Sequence, residues 1–153
     1  MARAEIAVAA PPERVFEVLS DGRLYGHWVV GSRAIRAVDP GWPAPGTRLH
    51  HTVGVGPLNL NDSTCVEASE PPWRLRLRAR VRPLMTALVS IDLHPHPVGT
   101  RVVMVEDPGD PLSCVWFAPP VQPLLRRRNG ESLRRLRDLA EGRGPSPEEA
   151  RTP

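Results

Sequence analysis

Two side chains combine reactive chemistry with a place in an apolar pattern: His51 and Glu106. In residues 47–55 (TRLHHTVGV), His51 shares its parity with Leu49, Val53 and Val55, while Arg48, His50 and Thr52 take the other side. An imidazole on an apolar face can act as acid, base or ligand donor, or it can be a hydrogen-bonded part of the core. In residues 100–106 (TRVVMVE), Glu106 continues the alternation of Val102 and Met104. If that parity faces inward, the carboxylate could polarise or deprotonate a carbonyl compound. The opposite parity, with Val103 and Val105 inward, makes Glu106 a solvated strand end. His51 and Glu106 are therefore the candidate catalytic pair. A second polar pair, Asn129 and Ser132, falls inside an apolar arc between Val121, Leu125 and Leu136 at helical spacing. Such groups must either face a cavity or be hydrogen-bonded, and the backbone of their own helix is one available partner.

Other motifs carry less chemistry. Tyr25 and Trp28 could close one end of a pocket or simply fill a core. Asp62 and Asn59 could reach a cavity only if a bulge near residues 61–63 shifts the strand register. His94-Pro95-His96 offers two metal ligands without a third nearby, so no metal is expected. There is no glycine-rich phosphate loop and no nucleophile elbow, and no cofactor is expected.

The elements that must position these residues follow from periodicity. Residues 73–82 (WRLRLRARVR) alternate without a break, with Trp73, Leu75, Leu77, Ala79 and Val81 on one side and five arginines on the other. Side chains of a strand point alternately to opposite faces, so this is a strand with one apolar and one charged face. Strands are also expected at residues 3–9, 33–38, 47–55, 58–69, 84–93 and 100–106, separated by proline- and glycine-rich turns. Pro11-Pro12 opens a first helix carrying Val15, Phe16, Val18 and Leu19, and a helical turn follows at residues 22–30. Residues 121–141 form a long amphipathic helix with Val121, Leu124, Leu125, Leu133, Leu136, Leu139 and Ala140 in one arc and Gly142 as its stop. The order is that of an α+β fold: a curved antiparallel sheet of about six to seven strands gripping a long C-terminal helix, with two short helices after the first strand. Residues 1–141 make a single domain, and residues 142–153 (GRGPSPEEARTP) read as a disordered tail.

Composition narrows the function classes. The chain has 153 residues and a net charge of +3, and all 20 basic residues are arginine. The arginine face has no interleaved aromatics for base stacking, so nucleic acid is not an expected partner. Arg126 and Arg127 read as the hydrophilic side of the long helix, with Arg128 at its edge. No apolar run reaches the length of a membrane span, so stable membrane insertion is not expected. Residues 1–10 are too short and polar for a secretory signal, and the expected location is the cytoplasm. Cys65 and Cys114 are expected to be reduced thiols.

The order of elements resembles the START-like helix-grip superfamily (SRPBCC), in its polyketide cyclase/dehydrase and lipid-transport branch. The resemblance rests on residues 6–19 (IAVAAPPERVFEVL), 25–28 (YGHW), 45–47 (PGT), 99–106 (GTRVVMVE) and 129–139 (NGESLRRLRDL). It spans roughly residues 3 to 141. It implies an apolar cavity between sheet and helix that takes a small hydrophobic molecule such as a lipid, a polyketide-like compound or an aromatic. The residues expected to line it are Tyr25, Trp28, Leu49, Val53, Trp73, Leu75, Leu77, Met104, Asn129, Ser132 and Leu136. Two alternatives stand beside this reading. One is a cyclase/dehydrase-type enzyme using His51 and Glu106. The other is a macromolecular interaction protein with a filled interior.

Overall fold

The computed structural model describes residues 1–143, and the expected tail from residue 144 onward lies outside them. The sheet has seven strands: β1 (Ala2–Val8), β2 (Ser32–Val38), β3 (Arg48–Val55), β4 (Leu58–Glu70), β5 (Arg74–Val81), β6 (Met85–His96) and β7 (Gly99–Pro108). Their order is β1-β7-β6-β5-β4-β3-β2, antiparallel throughout. Strands β2 to β7 form a meander, each beside its sequence neighbour, and β1 closes on the last of them. Helix α1 (Pro12–Ser20) and the short helix α2 (Tyr25–Trp28) fill the link between β1 and β2, and α3 (Gln122–Ala140) lies over the sheet's concave face. A 3₁₀ turn at Leu112–Phe117, unread in the sequence, connects β7 to α3.

Local chemistry accounts for these boundaries. Pro12 sits in the first turn of α1, where its missing N–H costs no helical bond, and Glu13 places negative charge at the helix N-terminus. At the other end of the domain, Gly142 adopts φ +79° and donates its N–H to the Leu139 carbonyl, stopping α3. The β6–β7 turn needs Gly99 for a second reason. Its φ is +146°, and a Cβ there would stand 2.6 Å from the Ala10 carbonyl oxygen.

The register builds the inner face row by row. Cross-strand partners share a face, so Val66, Leu77, Val89, Glu106 and Ala2 form one row, and Leu75, Ile91, Met104 and Ala4 the next. These rows settle the parity of β7: Glu106 faces inward with Val102 and Met104 and is 1% exposed. Opposite the rows, α3 buries Leu133, Leu136, Leu139 and Ala140. Burying one such leucine contributes roughly 1.5–3 kcal/mol before chain entropy is counted.

Three readings of the sequence need correction. Trp73 is 45% exposed and precedes β5, because the Pro71-Pro72 turn extends through it; it is not part of the inner wall. Leu124 is 68% exposed on the first turn of α3, where Leu125, clustered with Ala2, Ala87 and Phe117, takes the inward position. Arg82 does not extend the outer arginine row. It follows the end of β5 and turns over the sheet onto Asp62. The outer arginines are themselves paired across strands: Arg74 with Asp92, Arg76 with Ser90, and Arg78 with Glu67.

Candidate functional site

Between α3 and the inner rows lies a cavity of about 70 Å³, room for about two waters. Its apolar wall includes Leu77, Ala79, Val81, Ala87, Val89 and Met104 from the sheet, and Trp28 from α2. Its polar residues are Tyr25, Ser32, His51, Glu106, Arg128, Asn129 and Ser132. The pleat puts His51 there from β3 and Glu106 there from β7, so strands distant in the sheet contribute to one space.

His51 is 3% exposed and engaged at both ring nitrogens. Nδ1 lies 3.2 Å from Ser32 Oγ and Nε2 lies 3.2 Å from Thr64 Oγ1. Burial pushes its pKa down to about 4, the nearby Asp62 carboxylate opposes the shift, and Arg36 and His50 add to it. At neutral pH the ring is uncharged, with one donor and one acceptor nitrogen that the two hydroxyls satisfy. Tyr25 packs edge-on against His51 at 5.5 Å and against Trp28 at 5.4 Å. Burial raises its pKa above the usual phenol value, with Thr64 and Arg128 pulling the other way.

Glu106 meets Arg128, whose Nη2 donates to both carboxylate oxygens at 3.0 and 2.8 Å. The Arg128 side chain is 36% exposed and the Glu106 side chain 2%, so the arginine spans from the protein surface to a buried carboxylate. Asn129 is 2% exposed. Its Oδ1 lies 3.5 Å from Arg128 Nη2. Its Nδ2, and Arg128 Nε, are buried without a hydrogen-bond partner among the described residues. Ser132 does not bond its own helix. Its Oγ accepts the Val30 N–H at 3.0 Å and ties the loop after α2 to α3.

The remaining expected residues divide cleanly. Val53 and Leu77 line the cavity, whereas Leu49, Leu75 and Leu136 are fully buried in the adjoining core and do not. Asp62 shares the inner face with His51, its cross-strand neighbour, without the bulge near residues 61–63; the irregularity of β4 lies between Val66 and Ala68. Burial raises the Asp62 pKa, but hydrogen bonds from Arg82 and from the Ser63 N–H outweigh it and hold the carboxyl below its usual value. Asn59 instead accepts from Arg33 at 2.6 Å on the outer side. Among the described residues no cluster of three or more His, Cys, Asp or Glu could hold a metal ion, and no helix is long and apolar enough to cross a membrane.

Three polar residues in or bonded to the site escaped the sequence reading: Ser32, Thr64 and Arg128. Only Arg128 left a signal, its position at the edge of the helix's hydrophilic side, next to Asn129. Ser32 and Thr64 carry none, because their role comes from β2 and β4 flanking β3.

Comparison with solved structures places the fold in a wide group. A protein from Rhodobacter sphaeroides is 22% identical with a TM-score of 0.67, covering 92% of this chain and 93% of that one. A Thermus thermophilus protein is 19% identical with a TM-score of 0.66, over 94% and 99%. The di-domain ARO/CYC protein StfQ of the steffimycin biosynthetic pathway is 10% identical with a TM-score of 0.71, over 92% of this chain and 50% of that one. At these identities the likeness is one of fold. No curated protein matches the chain. The model of the family described as polyketide cyclase/dehydrase and lipid transport matches residues 2–141, and the chain belongs to that family.

Proposed function

We propose that this protein binds a small hydrophobic molecule, such as a lipid, a polyketide-like compound or an aromatic, between the sheet and α3. The observation that carries the reading is the cavity itself: mainly apolar, yet lined by Arg128 and Asn129, each with a buried donor that has no hydrogen-bond partner among the described residues. A filled interior would have favoured the interaction-protein reading. Unbranched Met85 and Met104 in the wall can change rotamer to admit a ligand larger than the present free volume. Family membership supports the same reading.

The test is uptake of a neutral, polarity-sensitive naphthyl ketone dye, with mass spectrometry of a solvent extract of the purified protein. Saturable dye binding with a blue-shifted emission is expected, lost in Ala79→Phe, which fills the cavity. Absence of both uptake and a co-purifying hydrophobic molecule overturns the reading.

A second reading, a cyclase/dehydrase-type enzyme, is favoured by one fact: His51 and Glu106 border the same cavity. Its acid–base step would use the neutral imidazole, while Arg128 binds both carboxylate oxygens of Glu106. Loss of turnover with retained dye binding in His51→Gln would support it. Unchanged turnover in both His51→Gln and Glu106→Gln would end it.

A further inference from the structure

The charges of the cavity wall nearly cancel. Of the described residues that line it, only Tyr25, His51, Glu106 and Arg128 have ionisable side chains. Tyr25 is a phenol and His51 an uncharged imidazole held between two hydroxyls. The Glu106 carboxylate is bound through both oxygens by Arg128. The other inward carboxylate, Asp62, is taken by three bonds from Arg82. What remains unsatisfied among the described residues is donor capacity: Asn129 Nδ2 and Arg128 Nε. A buried donor without an acceptor is costly, and a ligand oxygen would relieve that cost.

We propose that the Glu106–Arg128 pair is a charge filter, so that the cavity selects uncharged molecules bearing an acceptor oxygen (a ketone, aldehyde or ester) and rejects carboxylates of the same shape. The inference rests on the reading of this cavity as a binding site. An incoming carboxylate would place a second negative charge beside Glu106 with one guanidinium to share between them, and desolvating a charge without its own partner is strongly unfavourable. A ketone brings the acceptor without the charge. Glu106 thereby sets specificity by neutralising Arg128, with no part in bond making.

The experiment measures displacement of the naphthyl ketone dye from the full chain by naphthalene, methyl naphthyl ketone and naphthoate. The ketone is expected to bind about tenfold tighter than naphthalene and on the order of a hundredfold tighter than naphthoate. In Glu106→Gln, which leaves Arg128 unneutralised, naphthoate is expected to become the tightest of the three. Naphthoate binding the unmodified protein as tightly as the ketone overturns the proposal, as does an unchanged order in Glu106→Gln. Should that variant fail to fold, Asn129→Leu replaces it: the ketone is then expected to fall to the affinity of naphthalene, and an undiminished preference for the ketone overturns the proposal. If neither the dye nor any of the three compounds binds, the binding reading itself falls, which separates the two failures.

Discussion

Lowering the pH loads a proton cost onto one buried ring. His51 is held neutral at neutral pH, its pKa pushed down from 6.5 to about 4 by burial. The unfolded chain, with a pKa near 6.5, binds a proton first, so stability rises with pH wherever the unfolded state carries more protons. The His51 contribution is therefore complete above about pH 6.5 and is lost as pH falls toward about 4. Integrating between about pH 7 and about pH 4.5 gives a loss of about 2 kcal/mol from this residue alone. In His51→Gln that slope should vanish, although the variant starts from lower stability through altered bonding to Ser32 and Thr64. The assay is urea unfolding followed by tryptophan fluorescence at several pH values across this window, with imidazole titration by NMR alongside. Asp62 does not blur the result, because its lowered pKa acts at the acid end, below the ordinary carboxylate value of 3.8. An NMR titration of His51 near 6.5, or the same slope in His51→Gln, would refute the argument that the ring is desolvated and satisfied by hydroxyls.

Arg128→Leu leaves Glu106 buried without its cation and should cost about 2–3 kcal/mol in chemical unfolding, less than a fully buried pair because Arg128 is partly exposed. The double variant Arg128→Leu/Glu106→Leu should recover much of that loss, and a double variant as unstable as the single one would contradict it. Leu133→Ala, at a fully buried site of α3, should cost about 2–5 kcal/mol. Leu124→Ala, at an exposed site of the same helix, should change stability by less than about 0.5 kcal/mol, and thermal melts of the two compare them directly. Asp62→Asn removes a carboxylate stabilised by Arg82. Its folded pKa is depressed, so its contribution is present above the unfolded pKa and lost as pH falls through the folded one. The variant should flatten the acid limb of the stability curve below about pH 4, and an unchanged limb would show that the Arg82 contact contributes nothing.

Periodicity carried much of the architecture. The strict alternation of residues 74–81 and the helical spacing of Leu125, Leu133 and Leu136 are local, because each side chain's direction follows from the backbone period alone. The same rule put Asn129 and Ser132 on the inner arc of α3 and His51 on the face of Leu49 and Val53. It could not choose between the two parities of β7, since Val102 and Met104 on one side and Val103 and Val105 on the other are equally apolar. Pairing decided it, by placing Glu106 in the row of Leu77 and Val89. Trp73 shows the opposite failure: the alternation continued through it in sequence while the chain had already left the sheet for the turn.

What the sequence determined by itself was the sheet, its closing helix and which residues have an inner face. Only the tertiary structure decided the partners: Arg128 for Glu106, Arg82 for Asp62, Ser32 and Thr64 for His51, and Val30 for Ser132. The physical reason is separation along the chain. Side-chain direction is set by a residue's own backbone, but ion pairing and desolvation are set by neighbours many residues away. Those neighbours turn a histidine and a glutamate on apolar faces into a neutral imidazole and a neutralised carboxylate bordering one cavity.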